Sequence, residues 1–333
     1  MPSFPRKWLA VLIVLAIVIP LLHPVLPDLV SNYRLFLVST MMIAAIAVLG
    51  LNLLTGFNGQ ISLGHSAFYA AGAYTAAILM DKFDCPYWAT LPAAAIVSFI
   101  IGYLFGLPAL RLEGHYLALA TFALALAVPQ ILKYKWLEDI TGGVQGIVLS
   151  KPEVPFGLPL TDDQWLYFYC LIVMIILFWI AANLLRSRSG RAMMAIRDYH
   201  IAADTMGIDT ALYKTVTFGI SAAYTGIAGA LSASAVAFVA PDSFGFFLSI
   251  KFLICLVVGG VGSLAGSVVG GVFYVLVDNA AQALSTYIKS DLGLQFDLSA
   301  YTIFGVLLIV LMYLMPTGIV GGVYGVVRRL RRG

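Results

Sequence analysis

The chain has 333 residues, 61% of them hydrophobic and 11% charged, with a mean hydropathy of +0.97. A soluble domain carries about 25% charged residues, so the composition excludes a soluble protein and points to an all-α, polytopic membrane bundle. The formal charge of +3 is too small to indicate nucleic acid.

The three cysteines, Cys85, Cys170 and Cys255, are odd in number and scattered, which fits neither a disulfide framework nor a metal site. No polar segment reaches domain size, so 1–333 reads as one transmembrane domain and catalytic machinery of any bulk must reside in another chain.

A helix needs about 20 apolar residues to cross a bilayer. On that rule ten spans are expected, near 8–22, 33–54, 62–80, 87–110, 116–132, 165–185, 215–238, 248–258, 260–277 and 298–315. The first follows Arg6 and Lys7 and competes with a signal peptide. No small-x-small cleavage site follows it, only LLHPVLPD, which favours a retained helix.

The second and third spans flank GLNLLTGFNGQISLGHSAFYAAGAYTAA (50–77), where Gly56, Phe57, Asn58, Gly59 and Gln60 interrupt two apolar runs without a charge. Two readings fit. One is a broken or re-entrant element bordering a translocation path, since non-helical backbone at membrane depth is tolerated only where protein or water shields it. Asn52, Asn58, Gln60, Ser62, His65 and Ser66 would then line the path, with Thr121 from the fifth span. The other is a polar turn at the cytoplasmic surface, with Ser66, Ala70, Ala73 and Ala77 as a packing stripe.

The loop 133–164 is rich in Gly and Pro and too polar to span. It is expected on the outer face, long enough to meet a partner. The densest charge lies in RSRSGRAMMAIRDYHIAADTMGIDTALYK (186–214), which carries Arg186, Arg188, Arg191, Arg197 and Lys214. Positive charge marks the cytoplasmic side. With this loop inside, ten crossings put both termini inside and collect twelve of the nineteen basic residues there. A helix over 192–206 would set Met193, Ile196 and Ile201 on one face beside Arg197, Asp198 and Asp204, with Ala202, Ala203 and Gly207 as a bare patch. Such a helix either docks a partner or merely sets topology.

Small residues recur at helical spacing at Gly219, Ala223, Gly226, Ala230 and Ala233, and again at Gly262, Gly266 and Gly270, which predicts close helix packing. Asp278–Asp297 has the spacing of a short amphipathic helix at the outer interface. No Asp or Glu falls inside the expected spans away from their ends, and Lys251 is placed to snorkel. His65 and His115 lie near span ends. A nucleotide-binding G-x-x-x-x-G-K-[ST] loop and the H-E-x-x-H and G-x-S-x-G hydrolase motifs are absent from the sequence.

Four stretches resemble the permease subunits of branched-chain amino-acid ABC importers, the M-type branch in particular. They are GLNLLTGFNGQISLGHSAFYAAGAY (50–74), LPALRLEGHYLALATFA (107–123), TGGVQGI (141–147) and SGRAMMAIRDYHIAADTMGID (189–209) continuing through YKTVTFGISAAYTGIAGAL (213–231). The resemblance implies a pore-forming inner-membrane subunit that pairs with a second permease and two cytoplasmic ATPases. Those ATPases would bind ATP and Mg, leaving no cofactor or metal in this chain. An extracytoplasmic binding protein would deliver a branched-chain amino acid, with Thr141, Gly142, Gly143 and Gln145 as its contact. Urea, short-chain amides or another small polar solute is the alternative cargo, and a stand-alone secondary transporter the alternative class.

The resemblance also implies that Ala202, Ala203 and Gly207 belong to the ATPase-coupling motif, with Arg191, Ile196 and Arg197 beside them. Ile201 stands where that motif carries Glu, and His200 where an acid is frequent. Ala125-Leu126 replaces Gly and an acid.

Overall fold

The computed structural model describes residues 31–109, 115–152, 154–155, 160–291, 305–306, 313 and 318–322. The first expected span, nearly all of the tenth and both basic termini lie outside these residues. The remaining spans are helices: α1 (Asn32–Leu51), α2 (His65–Phe83), α3 (Tyr87–Ala109), α4 (His115–Leu132), α6 (Asp162–Arg186), α8 (Thr210–Val236), α9 (Phe246–Gly259) and α10 (Leu264–Asp291). Two shorter helices intervene, α5 (Glu138–Thr141) and α7 (Arg188–Thr205), and the one sheet among the described residues is a two-residue antiparallel ladder of β1 (Ile147–Val148) with β2 (Phe238–Val239).

Five helices among the described residues are long and apolar enough to cross a membrane, or six if the pair Tyr116–Leu132 and Lys135–Thr141, bent by 62°, is one span. α2 is not among them. Ala and Gly fill much of its length and Asp81-Lys82 ends it, yet eleven of its residues are buried in the bundle.

The boundaries follow capping chemistry where hydropathy alone misplaced them. α6 starts at Asp162, not 165, because Thr161 and Gln164 form a reciprocal capping box, with Thr161 N–H donating to Gln164 Oε1 (2.9 Å). α8 starts at Thr210, not 215, because Asp209 caps it by accepting from Leu212 N–H (2.9 Å). α10 runs unbroken through Asp291, so the expected separate amphipathic helix at 278–297 is instead, as far as Asp291, its continuation.

α8 occupies the centre, packed against α3, α2 and α1, while α1 also meets α10 and α6. The expected stripe explains the contact with α3, where Gly219 lies against Phe99 and Gly226 against Ser98; Gly229, outside that stripe, lies against Tyr69 and Ala73 of α2. In lipid no hydrophobic drive separates helix from solvent, so close van der Waals approach between small residues supplies the association. Gly266 and Gly270 close α10 onto α9 in the same way, but Gly262 does not belong to that stripe. It sits in the turn before α10 at φ +73°. α3 and α6 form the rim, where Ile96, Ile100, Leu104, Ile172, Ile176 and Trp179 are exposed. Such bare apolar faces suit hydrocarbon rather than water.

Two ends are distinguishable. Residues 56–64, 186–214 and 260–263 gather at one. At the other lie 84–87, the turns around 133–148, the start of α6 and 237–245, tied by Trp165 Nε1 to Tyr87 Oη (2.7 Å), the β1–β2 ladder and the Lys133–Asp242 ion pair. This relative arrangement is the one the alternating spans require.

Candidate coupling and translocation site

The 50–77 stretch forms a broken helix enclosed by protein. Beyond Leu51 the ladder of α1 widens into a π-helix over Asn52–Phe57, then reverses at Gly59 (φ +77°), and α2 begins only at His65. Asn52, fully buried, holds the break to the α9–α10 turn. Its Nδ2 donates to the Ser263 carbonyl (2.8 Å) and Ser267 Oγ (2.9 Å), and its Oδ1 accepts from Gly262 N–H (2.9 Å). π-bulges recur at functional sites, and this one is stapled to a second helix break 210 residues away.

A polar chain threads the core behind it. Ser221 Oγ donates to the Gly50 carbonyl (2.6 Å), so it accepts from His65 Nε2 (2.8 Å), which leaves His65 Nδ1 to accept from Ser62 Oγ (2.9 Å). The network therefore assigns the neutral Nε2–H tautomer. Thr121 Oγ1 accepts from Leu63 N–H (2.9 Å), Ser249 Oγ accepts from Ser66 N–H (2.8 Å), and Gln60 Nε2 donates to the Lys214 carbonyl (3.1 Å). All seven residues expected along a path are buried. In this conformation six of them bind α1, α2, α4, α8, α9 and α10 together rather than facing solvent. Asn58 is the seventh: neither its Oδ1 nor its Nδ2 has a partner.

The 186–214 segment divides in two. Ser187 alone separates α6 from α7, and inside α7 Tyr199 breaks the helix (φ −161°, ψ 96°). The half before the break is anchored: Met193 and Ile196 are 1% and 4% exposed, packed into this chain rather than presented beside Ile201 as their spacing suggested. The periodicity was real, but the face it marks turns inward. Arg191 is exposed and its Nη1 donates to the Arg186 carbonyl (3.0 Å). Arg197 reaches the break, its Nη1 donating to the Gly56 carbonyl (3.0 Å).

The half after Tyr199 projects, with His200, Ile201, Ala202, Asp204, Thr205 and Met206 exposed. Ala203 turns inward, so the bare patch consists of Ala202 and Gly207 without it. The spacing of Ala203 and Gly207 has a backbone cause. Ile208 N–H donates to the Ala203 carbonyl (3.1 Å) and Gly207 N–H to the Asp204 carbonyl (3.0 Å), with Gly207 at φ +82°. This pair of bonds is a Schellman cap, in which the left-handed residue favours glycine.

At the opposite end Thr141 is buried, its Oγ1 shared between the Leu132 and Leu137 carbonyls (both 2.8 Å), and Gly142, Gly143 and Gly146 all take positive φ. The turn presents Val144 and Gln145 outward. Lys251, expected to snorkel, pairs instead with Asp278 and lies 4.0 Å from the centre of the Tyr274 ring. Asp278 is thus a carboxylate within a helix that the span boundaries had placed at an end. A charge half-buried among apolar side chains holds only with a partner. Sequence spacing missed this pair, as it missed Ser221, Ser249, Ser263 and Ser267; the signal available was a serine or ionisable residue inside an apolar run. Among the described residues no group of His, Cys, Asp and Glu could hold a metal ion.

Residues 33–323 match the model of a family described as the permease component of branched-chain amino acid transport systems. The high-affinity branched-chain amino acid permease protein LivM of Salmonella typhimurium (strain LT2) is 33% identical over 290 residues, covering 80% of this chain and 68% of its own. LivM of Escherichia coli (strain K12) is 32% identical over 311 residues, 86% of this chain and 71% of its own. The LivH permease protein of Escherichia coli (strain K12) is 26% identical over 300 residues, 83% and 91%. No solved structure matches. A family match that takes in the helix break, the polar chain and the projecting half of α7, joined by two relatives more than 30% identical, means that the chain belongs to the permease components of branched-chain amino acid transport systems, multi-pass membrane transport subunits and not enzymes.

Proposed function

We propose that the chain is one of two permeases in an ABC importer that carries branched-chain, hydrophobic amino acids across the inner membrane. Both termini and the 186–214 segment face the cytoplasm. Two ATPases bind ATP and Mg there, and a binding protein docks outside over the Val144-Gln145 turn. Similarity to both LivM and LivH supports the paired permease, and the branched-chain amino acid transport for which those proteins are named supports the cargo.

The observation that carries the reading is the projecting half-helix at 200–207. It is exposed on nearly every side, closed by a glycine cap, and continuous through Tyr199 with a half that is locked into the bundle. A short, rigid, uncovered helix of this kind is suited to occupy a groove on a partner. ATP-driven closure of the ATPases would push on it, and the bundle would alternate between outward and inward access. Excising 192–207 would remove core residues Met193 and Ile196, so the test is confined to the exposed half. Ile201→Asp combined with Ala202→Trp is expected to abolish recovery of ATPase subunits through a tag on this chain, and uptake of radiolabelled leucine, without lowering its level in the membrane. Full ATPase recovery in that variant would reject the docking role.

A further inference from the structure

We propose that Arg197 is the strut that carries motion from the docking half of α7 to the helix break at Asn52–Phe57. This role rests on the reading of 200–207 as the docking face and gives Arg197 a different part in it, acting within the chain rather than as a contact with the ATPase.

Arg197 is the second-last residue before the Tyr199 break, so its backbone moves with whatever displaces 200–207. Its guanidinium is oriented on one side by Asp198, with Nε 2.9 Å and Nη2 2.8 Å from Oδ1. On the other side Nη1 donates to the Gly56 carbonyl (3.0 Å) inside the π-helix. Gly56 lies in the last turn of the π-helix, where carbonyls have no onward partner within the helix, and a cation that supplies the missing donor fixes the break in one geometry. Gly59 makes room for it, while Gly56 lets the turn at Gly262 pack close beside it. A Cβ at Gly59 would lie 2.9 Å from Arg197 Cγ, and one at Gly262 would lie 3.5 Å from Nη1 and 3.4 Å from the Gly56 oxygen. Gly56 itself faces Gly262, whose N–H is held by Asn52.

Arg197 therefore joins the point at which three segments meet: the docking helix, the break in α1, and the turn that opens α10. Two of these are linked by Asn52, and the third reaches them through one side chain. Lys could supply charge but not the fork that holds Asp198 and Gly56 together. The side chain is about one-third exposed, so its removal leaves no cavity in the core. The partner-free Asn58 beside this joint is consistent with a segment whose bonds are completed in another state.

The test compares Arg197→Met and Arg197→Lys with the Ile201→Asp/Ala202→Trp pair in the intact complex, purified through a tag on this chain and reconstituted in vesicles. Arg197→Met is expected to retain ATPase subunits and thermal stability but to lose uptake of leucine by roughly ten-fold, within the usual range for coupling between sites. ATP hydrolysis should continue, no longer raised by leucine-loaded binding protein. Arg197→Lys should lose uptake to the same degree. Combining Arg197→Met with Asn52→Ala should cost little more than either alone, because both act through one joint. Wild-type uptake in Arg197→Met overturns the proposal. Loss of the ATPases from that variant also overturns it, by making Arg197 a docking contact and leaving the docking reading intact. Retention of the ATPases by the Ile201/Ala202 pair overturns the docking reading instead, and the proposal with it.

Discussion

Gly207 separates two reasons for a glycine in the docking segment. No atom lies within 4 Å of a Cβ built there, so within this chain a side chain meets only open space. What it meets is the backbone: φ is +82°, where an L-residue costs roughly 1–2 kcal/mol. The cap on Ala203 and Asp204 holds the projecting half-helix closed, and a loss of that size lowers the ratio of closed to frayed forms about 5- to 30-fold. Asn tolerates the left-handed region far better than Ala, and a β-branched residue worst. Recovery of ATPase subunits with the tagged chain, and leucine uptake, should therefore run wild type, Gly207→Asn, Gly207→Ala, Gly207→Val in falling order, with Asn close to wild type. Equal performance by Val would refute the capping argument. An Asn variant as poor as Val would also refute it, since the glycine would then serve close approach by a partner rather than its own turn.

Removing the carboxylate in Asp278→Ala strands Lys251 in an apolar setting and should cost about 3 kcal/mol, read as a lower melting temperature in detergent; Lys251→Met/Asp278→Leu should recover most of it. Gly270→Ala sets a methyl 2.5 Å from the Cys255 carbonyl and 3.2 Å from Val48 Cγ1, so α9 and α10 must separate, at roughly 1–3 kcal/mol, measured in the same way. Ser221→Ala removes both the donor to Gly50 and the acceptor for His65, leaving a buried ring N–H without a partner at about 1–3 kcal/mol. A melting curve identical to wild type would refute the assigned Nε2–H tautomer.

What could be read from the sequence was whatever depends on neighbours along the chain. Hydropathy located eight helices, because burying apolar side chains in lipid needs length and little else. The small-residue stripe on α8 was legible for the same reason: Gly219 and Gly226 announce close approach without saying to what, while Gly229, which meets α2, fell outside it. The polar break at Gly56–Gln60 was visible as an interruption, but its burial was not. Whether Asn52, Ser62 and His65 face water or protein is decided by α8, α9 and α10, more than 150 residues away. The inward turn of Met193 and Ile196 failed to show because an amphipathic period gives a face and not its occupant. Tyr199 carries no breaker signal at all, since nothing local to it distinguishes an extended residue from a helical one.

The paired charge between α9 and α10 also decides how far a self-powered mechanism can go. An ion-driven carrier needs an ionisable group in its bundle that changes partner or protonation as the cargo moves. Among the described residues Asp278 is the carboxylate within a helix interior that could serve, and it is held by Lys251, itself stacked on Tyr274. Its carboxylate is already committed to the Lys251 ammonium, which leaves it no open position for a coupling ion in this conformation. His65 is no better placed, with both ring nitrogens committed to Ser62 and Ser221. On the proposed reading, free energy for uphill transport enters from outside the bundle, through the exposed half of α7. If the chain alone, in vesicles with a proton or sodium gradient and no ATPase, accumulates leucine against its gradient, this reasoning fails at its root.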